Sequence, residues 1–299
     1  MAFWADLTGG GDCLTLGGHA GTIDRAAAGR VSNLVLGIDE AGRGPALGSM
    51  VLAAVALGPA ASRRLARAGV ADSKSFGAGD EAHAARGALL RIIEEAAAFI
   101  AIEVCDVETI DAYVARGALN VLERERAERM IRDAPPCKRI IADGERLFGP
   151  LRALFPQIRA VDRAEEHHVA VAAASICAKV RRDELFGCIA ARYEAEFGPV
   201  RGWGYVNPAT RAFTRAYARR FGRLPPEARQ SWPWPRHGRV DGHRVDWLSD
   251  GAAIAMPVQP PGLPPSVAAP SAALAAGAKK GRARAVDATA DRRAAARAG

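Results

Sequence analysis

The five cysteines of this chain have none of the paired spacings that mark a zinc site or a disulfide framework. They are Cys13, Cys105, Cys137, Cys177 and Cys188, and no two of them form a CxxC pair. An odd number of cysteines without a metal-binding pattern is typical of reduced thiols. We therefore expect a cytoplasmic protein rather than a disulfide-rich secreted one.

Long hydrophobic runs are also absent. The longest run, near residues 47–57, has the length of a buried strand and is too short to cross a membrane. The first residues, MAFWADLTGGGDC, contain no basic group before an apolar stretch, which argues against a signal peptide. The sequence thus predicts a soluble protein that has no membrane partner.

Acidic residues are in the minority, and the excess positive charge is unevenly distributed along the chain. Residues 251–299 contain seven Lys or Arg and two Asp, so they carry five of the eight net positive charges. Residues 1–250 are only mildly basic, and any nucleic-acid binding by them requires a local patch. The charge of the tail either attracts phosphates or belongs to a solvated end.

Composition divides the 299 residues into three segments. Residues 1–30 are rich in Gly and Ala, and we expect a poorly ordered extension. Residues 31–250 have regular apolar patterns and enough hydrophobic residues for one sizeable core. Residues 251–299 are dominated by Ala, Pro and Gly, which predicts a disordered basic tail.

The apolar periodicity of the middle segment predicts a mixed α/β domain, with one central sheet covered by helices. The predicted strands are 34–39, 50–56, 99–104, 139–142 and 158–161, and the predicted helices are 80–98, 107–132 (interrupted by Gly117) and 167–197. Acidic residues recur where these strands end. Asp39 and Glu40 end the first strand, Asp143 ends the fourth, and Asp162 and Glu165 follow the fifth.

Strand ends of an open α/β sheet gather at one edge, so these carboxylates are expected to converge. Converging carboxylates repel one another unless a cation lies among them. Oxygen donors without a Cys or His pattern favour Mg²⁺ or Mn²⁺ over zinc. Four carboxylates can hold two such ions about 4 Å apart, which is an arrangement suited to phosphodiester hydrolysis.

A glycine-flanked arginine follows the first acidic pair, in the stretch GIDEAGRGPALGSMVLAAV. Gly42 and Gly44 allow a backbone path that presents N–H groups and admits a close substrate, and Arg43 adds a forked donor. This stretch resembles the opening motif of the type 2 ribonucleases H, the ribonuclease HII family. The further segments ADSKSF, IADGERL, RAEEHHVAVAAASICAKVRRD, GWGYVNPAT and ARQSWPW resemble motifs of that family in the same order, and the resemblance covers roughly residues 31–235.

The resemblance implies a ribonuclease H-like fold, with a central mixed β-sheet flanked by helices and a helical C-terminal part. It implies an endonuclease that cuts the RNA strand of RNA–DNA hybrids, and cuts at ribonucleotides embedded in duplex DNA, producing 5′-phosphomonoesters. Two Mg²⁺ or Mn²⁺ ions would serve catalysis, and we expect the protein to act as a monomer.

The resemblance also implies roles for individual residues. Asp39, Glu40 and Asp143 would be metal-binding catalytic acids. For the fourth acid the family usually has Asp, whereas the matching position here is Glu165, with Asp162 as the alternative one helical turn earlier. Substrate contacts would come from Gly42, Arg43 and Gly44 at the ribonucleotide, from Ser73 and Lys74 of the DSK motif, and from Tyr205 at a neighbouring sugar.

Two other functions stay open at this point. Because Glu165 stands where Asp is usual, the chain could be a catalytically weakened protein that binds hybrids without cutting them. It could also be a different metal-dependent nuclease or phosphatase on a similar sheet. Lys179 and Arg182, on the helix after Glu165, are expected on a solvated face, with a phosphate contact as the alternative.

Overall fold

Five apolar segments pair into one central sheet. They are β1 (Val35–Ala41), β2 (Met50–Leu57), β3 (Phe99–Cys105), β4 (Arg139–Asp143) and β5 (Ile158–Val161). The strand order is β3-β2-β1-β4-β5, with β1 antiparallel to β2, β2 antiparallel to β3, and β4 parallel to both β1 and β5. The sheet is therefore mixed, as the sequence predicted.

The computed structural model describes residues 33–70, 77 and 80–231, together with the backbone of a short hairpin, β6 (Gly238–Val240) and β7 (His243–Val245). All of these residues belong to one unit, Met1–Val258. The predicted extension 1–30, the predicted tail 251–299, and Ser73 and Lys74 lie outside the described residues.

Helices cover both faces of the sheet. They are α1 (Pro59–Arg67), α2 (Asp80–Ala96), α3 (Val107–Val114), α4 (Leu119–Asp133), α5 (Glu145–Phe148), α6 (Val169–Phe197) and α7 (Pro208–Phe221), with short 3-10 helices at Gly149–Ala153 and Ala164–Glu166. The helix predicted over 107–132 is two helices, because Gly117 has a φ of 67° that ends the first of them. The predicted strands and the longest predicted helix are confirmed to within two residues at each end.

Alternation along the strands divides the core into two layers. Leu36 and Ile38 of β1 face the layer that contains Leu122 of α4, whereas Val51 and Val55 of β2 face the layer built by α2 and α6. All eight residues of β2 are buried, as expected for a central strand covered on both faces.

Helix α6 lies against β1 at very short range. A Cβ atom on Gly37 would lie 2.1 Å from the carbonyl carbon of Ala170, so no side chain fits at this position. The small residues at the start of α6, Ala170, Ala172, Ala173 and Ala174, are buried in this contact. The small-residue character of the helix thus serves close packing, and it brings α6 beside the acidic end of β1.

Beyond the sheet, α6 and α7 share a smaller aromatic core. Its rings come from Tyr193, Phe197, Phe213, Tyr217 and Phe221, with centroid separations of 4.6 to 6.2 Å. The chain then returns toward the sheet, where Ala228 forms a backbone bridge with Leu47. This return places residues 227–231 beside the loop that follows β1.

Three of the described cysteines are free thiols, namely Cys105, Cys137 and Cys177. Within the described part of the chain, no helix combines the length and apolar character needed to cross a membrane.

Candidate active site

Two of the predicted acids lie on neighbouring parallel strands. The ladder between β1 and β4 pairs Ile38 with Ala142, so the next position places Asp39 beside Asp143. Both strands run in the same direction, and both acids therefore lie at the same edge of the sheet. Burial and the Glu40 charge raise the pKa of Asp39 most, and the charge of Asp143 adds a smaller increase, which agrees with this proximity.

Asp39 and Glu40 are adjacent in β1 and therefore point to opposite faces of the sheet. Asp39 lies on the α6 side, where it accepts a hydrogen bond from the Ser175 hydroxyl. Lys179 Nζ lies 2.8 Å from Ser175 Oγ and extends this chain of contacts. Glu40 lies on the α4 side, near the buried carboxylate of Glu123. The acidic pair thus connects both layers of the core.

Burial strongly favours the protonated forms of these two acids. Asp39 is 5% exposed, and its burial, with the nearby Glu40 charge, raises its pKa to about 8. Burial and the charge of Glu123 raise the pKa of Glu40 to about 7, although Arg43 opposes this shift. A site that holds several desolvated carboxylates in this way gains from any cation that enters it.

The third acidic segment turns sharply after β5. Arg163 adopts a left-handed backbone with a φ of 59°, which turns Ala164 and Glu165 into the protein. The Ala164 N–H donates to Asp143 Oδ1 at 2.8 Å, so this turn lies directly against the β4 acid. Glu165 is 8% exposed.

Asp162 lies on the other side of the same turn. It is exposed, and its Oδ1 accepts a hydrogen bond of 2.8 Å from the Glu145 N–H at the start of α5. That contact gives Asp162 a structural role in joining α5 to the end of β5. Of the two candidates for the fourth acid, burial in the turn that contacts Asp143 favours Glu165.

The donor chemistry of this edge fits a hard divalent ion. The acids supply oxygen ligands only, and Glu40 Oε2 is buried without a hydrogen-bond partner. Among the described residues, no group of three or more His, Cys, Asp or Glu side chains is already arranged around an ion position. The fit to the ion thus rests on the charge, burial and donor type of these residues, and not on a preformed cluster of ligands.

The loop between β1 and β2, residues 42–49, is called the glycine loop, and a fully buried arginine holds it through hydrogen bonds. Arg229 donates from Nη2 to the Gly42 carbonyl at 2.6 Å, from Nη1 to the Arg43 carbonyl at 2.9 Å and from Nε to the Gly48 carbonyl at 3.0 Å. Its relative exposure is 0%. Sequence reasoning assigned no role to Arg229, and its only signal was its position inside the ARQSWPW segment.

Gly42 has no room for a side chain. Its φ is 83°, and a Cβ atom there would lie 2.9 Å from the Ser49 carbonyl oxygen and 3.0 Å from Arg182 Cγ. Arg182 is itself 5% exposed, so its prediction on a solvated face is wrong. Arg182 lies near the middle of α6, and the ring of Phe186, 5.5 Å from its guanidinium, helps to bury its side chain against the loop.

Tyr205 stands beside the glycine loop and is 48% exposed. A Cβ atom on Gly44 would lie 3.8 Å from Tyr205 Cε1, so ring and loop border the same space. The Arg182 guanidinium lies 5.1 Å from the centroid of this ring and also donates to the Trp203 carbonyl. Thus Arg182 joins the two segments that were predicted to contact substrate.

Comparison with known proteins gives one consistent result. The family model for ribonuclease HII matches residues 36–234. A ribonuclease HII of Caldivirga maquilingensis is 32% identical over 210 residues, which cover 68% of this chain and 94% of that protein.

Among solved structures, the ribonuclease H2 of Pyrococcus horikoshii OT3 is similar with a TM-score of 0.58 at 26% identity, over 67% of this chain and 93% of that one. Bst-RNase HIII in complex with Mn²⁺ has the same fold, with a TM-score of 0.54 at 22% identity over 69% and 70% of the two chains.

Proposed function

The chain belongs to the ribonuclease HII family, and from that premise we propose that it cuts the RNA strand of RNA–DNA hybrids and cuts duplex DNA at embedded ribonucleotides. The placement of Asp39 and Asp143 side by side, next to the glycine loop, is the observation that carries the proposal. The products would be 5′-phosphomonoesters. The catalytic domain would span residues 31–250 and act as a monomer, with 1–30 and 251–299 as extensions.

Asp39, Glu40, Asp143 and Glu165 would hold two Mg²⁺ or Mn²⁺ ions. Such a pair of ions supplies a nucleophilic water at neutral pH and stabilises the leaving oxygen of a phosphodiester. The contribution of the chain is to keep these carboxylates desolvated and oriented. Ser175 orients Asp39 from α6, and the Ala164 N–H orients Asp143 from the turn after β5.

Recognition of the ribonucleotide would come from the loop and the tyrosine. The open space at Gly44 lets a sugar approach the backbone, whose N–H groups can meet the 2′-hydroxyl that distinguishes RNA from DNA. The exposed ring of Tyr205 would pack on the neighbouring sugar. Ser73 and Lys74, which belong to the DSK motif, would contact phosphate.

A labelled DNA duplex that contains a single ribonucleotide tests this function. We expect the wild-type protein to cut it next to the ribonucleotide with Mg²⁺ or Mn²⁺ and to leave an all-DNA duplex intact. Asp39→Asn and Asp143→Asn should each lower the rate about 10³-fold or more, because each removes a charged ligand. Glu128→Gln, which changes an exposed ion pair on α4, serves as the control.

Folded wild-type protein that leaves the ribonucleotide duplex intact with every divalent ion would contradict the proposal. Tight binding of the duplex without products would instead favour the catalytically weakened hybrid-binding protein. Cleavage of plain DNA or small phosphate esters would favour another metal-dependent nuclease or phosphatase.

A further inference from the structure

The guanidinium of Arg43 is occupied within the protein. Its Nη1 forms an ion pair with Glu123 Oε2, and its Nη2 donates to Asn120 Oδ1 at 2.6 Å. The Arg43 side chain is 39% exposed, whereas that of Glu123 is fully buried. The guanidinium of Arg43 is therefore directed at α4, while the backbone of Arg43 borders the candidate active site.

Helix α4 is a firm support for this contact. Asn120 and Glu123 are three residues apart and share one face at the start of the helix. Ala127 and Met130 lie four and seven residues after Glu123 on the same face of α4, and they bury that face in the main core. Because the helix is fixed by this packing, an arginine bound to it fixes the loop relative to the sheet.

The contact also compensates charge. The Oε1 atom of Glu123 is buried without a hydrogen-bond partner, so Arg43 is the ion-pair partner that the structure gives this carboxylate. The electrostatic influence of Glu123 also reaches Glu40. If Arg43 turned toward a phosphate, the fully buried carboxylate of Glu123 would lose its ion-pair partner and keep only the smaller electrostatic effects of Arg124 and Arg229, and that loss would be costly.

We propose that Glu123 and Asn120 are positioning residues that tether Arg43 to α4, so that the glycine loop meets the substrate through its backbone and not through the arginine charge. The inference rests on the proposed function, since it concerns how the same loop is presented to a ribonucleotide. It assigns Arg43 an indirect role, and it makes the start of α4 part of ribonucleotide discrimination.

Salt dependence of binding separates a tether from a phosphate contact. The equilibrium Kd for a DNA duplex with one ribonucleotide is measured by fluorescence anisotropy in EDTA, over a series of NaCl concentrations, for wild type, Arg43→Ala and Glu123→Ala. Each phosphate neutralised by an arginine contributes about 0.9 to the slope of log K against log salt. We expect both variants to bind about tenfold more weakly at each salt concentration, with the wild-type slope retained.

A double-variant cycle gives a second, independent readout. If Arg43 acts only through α4, then Arg43→Ala with Glu123→Ala should bind about tenfold more weakly than wild type, like either single variant, and not about 100-fold. Glu123→Gln keeps an acceptor for Arg43 and should recover part of the loss. The matched control, Glu128→Gln on the exposed face of the same helix, should bind like wild type.

Three results would overturn the tether: a slope that falls by about one in Arg43→Ala, tighter binding by Glu123→Ala, or additive losses in the double variant. Thermal unfolding of each variant checks the fold, and Glu123→Gln supplies the comparison if Glu123→Ala does not fold. A wild-type protein that binds the ribonucleotide duplex no better than all-DNA duplex would overturn the proposed function itself. If the wild type prefers the ribonucleotide duplex and any of the three results is found, the tether is refuted and the proposed function stands.

Discussion

The two halves of the candidate site are held in place by different kinds of interaction. The acidic half, with Asp39 and Asp143, is positioned by the hydrogen-bonded ladder between two adjacent strands. The loop half, with Gly42 and Tyr205, is positioned by buried arginine side chains that come from α6 and from the end of the domain. Strand pairing fixes the first half, and long-range side-chain contacts fix the second.

This difference predicts how each half fails. Substitution of an acidic residue removes negative charge from the proposed metal site but leaves the hydrogen-bonded ladder between β1 and β4 intact. It should therefore lower the cleavage rate with little effect on folding. A change among the arginines leaves buried carbonyl groups unsatisfied, so it should affect stability and substrate discrimination together. The following variants test that contrast.

The largest expected effect in the contrast concerns the fourth acid. Glu165→Gln should lower the cleavage rate about 100-fold, because it neutralises a buried carboxylate in the turn that contacts Asp143. Asp162→Asn should lower the cleavage rate less than about fivefold. The exposed Asp162 serves mainly to accept a hydrogen bond from the Glu145 N–H, which contributes about 1 kcal/mol. Steady-state rates on the single-ribonucleotide duplex compare the two. The reverse ranking would make Asp162 the fourth acid.

The loop half is tested by Arg229→Lys. Lysine keeps the charge but cannot reach three carbonyl oxygens in the fork geometry of arginine. We expect about a tenfold loss of discrimination between ribonucleotide and all-DNA duplexes, with a loss of about 2–4 kcal/mol in the free energy of unfolding. Binding and urea unfolding measure the two effects.

Arg192→Lys is the matched control for Arg229→Lys. Arg192 contacts Glu227 at 2.5 Å and thus supports the same returning segment without touching the loop carbonyls. Its side chain is 43% exposed, so we expect less than about 1 kcal/mol of destabilisation and unchanged discrimination. Equal loss of discrimination in both variants would mean that the segment as a whole, and not the Arg229 fork, holds the loop.

The smallest expected effect is a pH dependence of stability in the metal-free protein. Asp39 and Glu40 keep their protons in the folded state up to about pH 8 and 7, whereas unfolded carboxyl groups lose theirs near pH 4. The folded state binds more protons in this window, so the free energy of unfolding should fall as pH rises from 5 to 8.

We expect a total decrease of about 1–3 kcal/mol between pH 5 and 8 in EDTA. Asp39→Asn should flatten the dependence, because asparagine does not titrate. Urea unfolding at several pH values measures it. A free energy of unfolding that rises with pH in the wild type would show that the folded state stabilises the charged forms of these acids.

The acidic half could be predicted from the sequence because its signals are local. Asp39 and Asp143 each follow an apolar run that predicts a strand. The carboxyl ends of parallel strands lie at the same edge of the sheet. The run of small residues after Val169 is a local feature of the same kind, since small side chains allow the close approach of α6 to Gly37. In each case, periodicity and residue size report directly on burial.

The side chains that support the loop half could not be predicted, because they are charged. Arginine in a sequence is usually read as solvent-exposed, yet Arg182 and Arg229 are buried among carbonyl groups distant along the chain. Glu123 lies in a helix, LNVLERERAERMIRD, whose many charges do not distinguish its buried face. Only the folded backbone shows which of these charges meet.

The most direct test of the account is a titration of Mn²⁺ followed by electron paramagnetic resonance, which reports free ion in solution. The account predicts that the wild-type protein binds Mn²⁺ and that Asp39→Asn and Asp143→Asn each lose most of that binding while remaining folded. Binding by Asp143→Asn that equals the wild type would contradict a shared metal centre at the ends of β1 and β4.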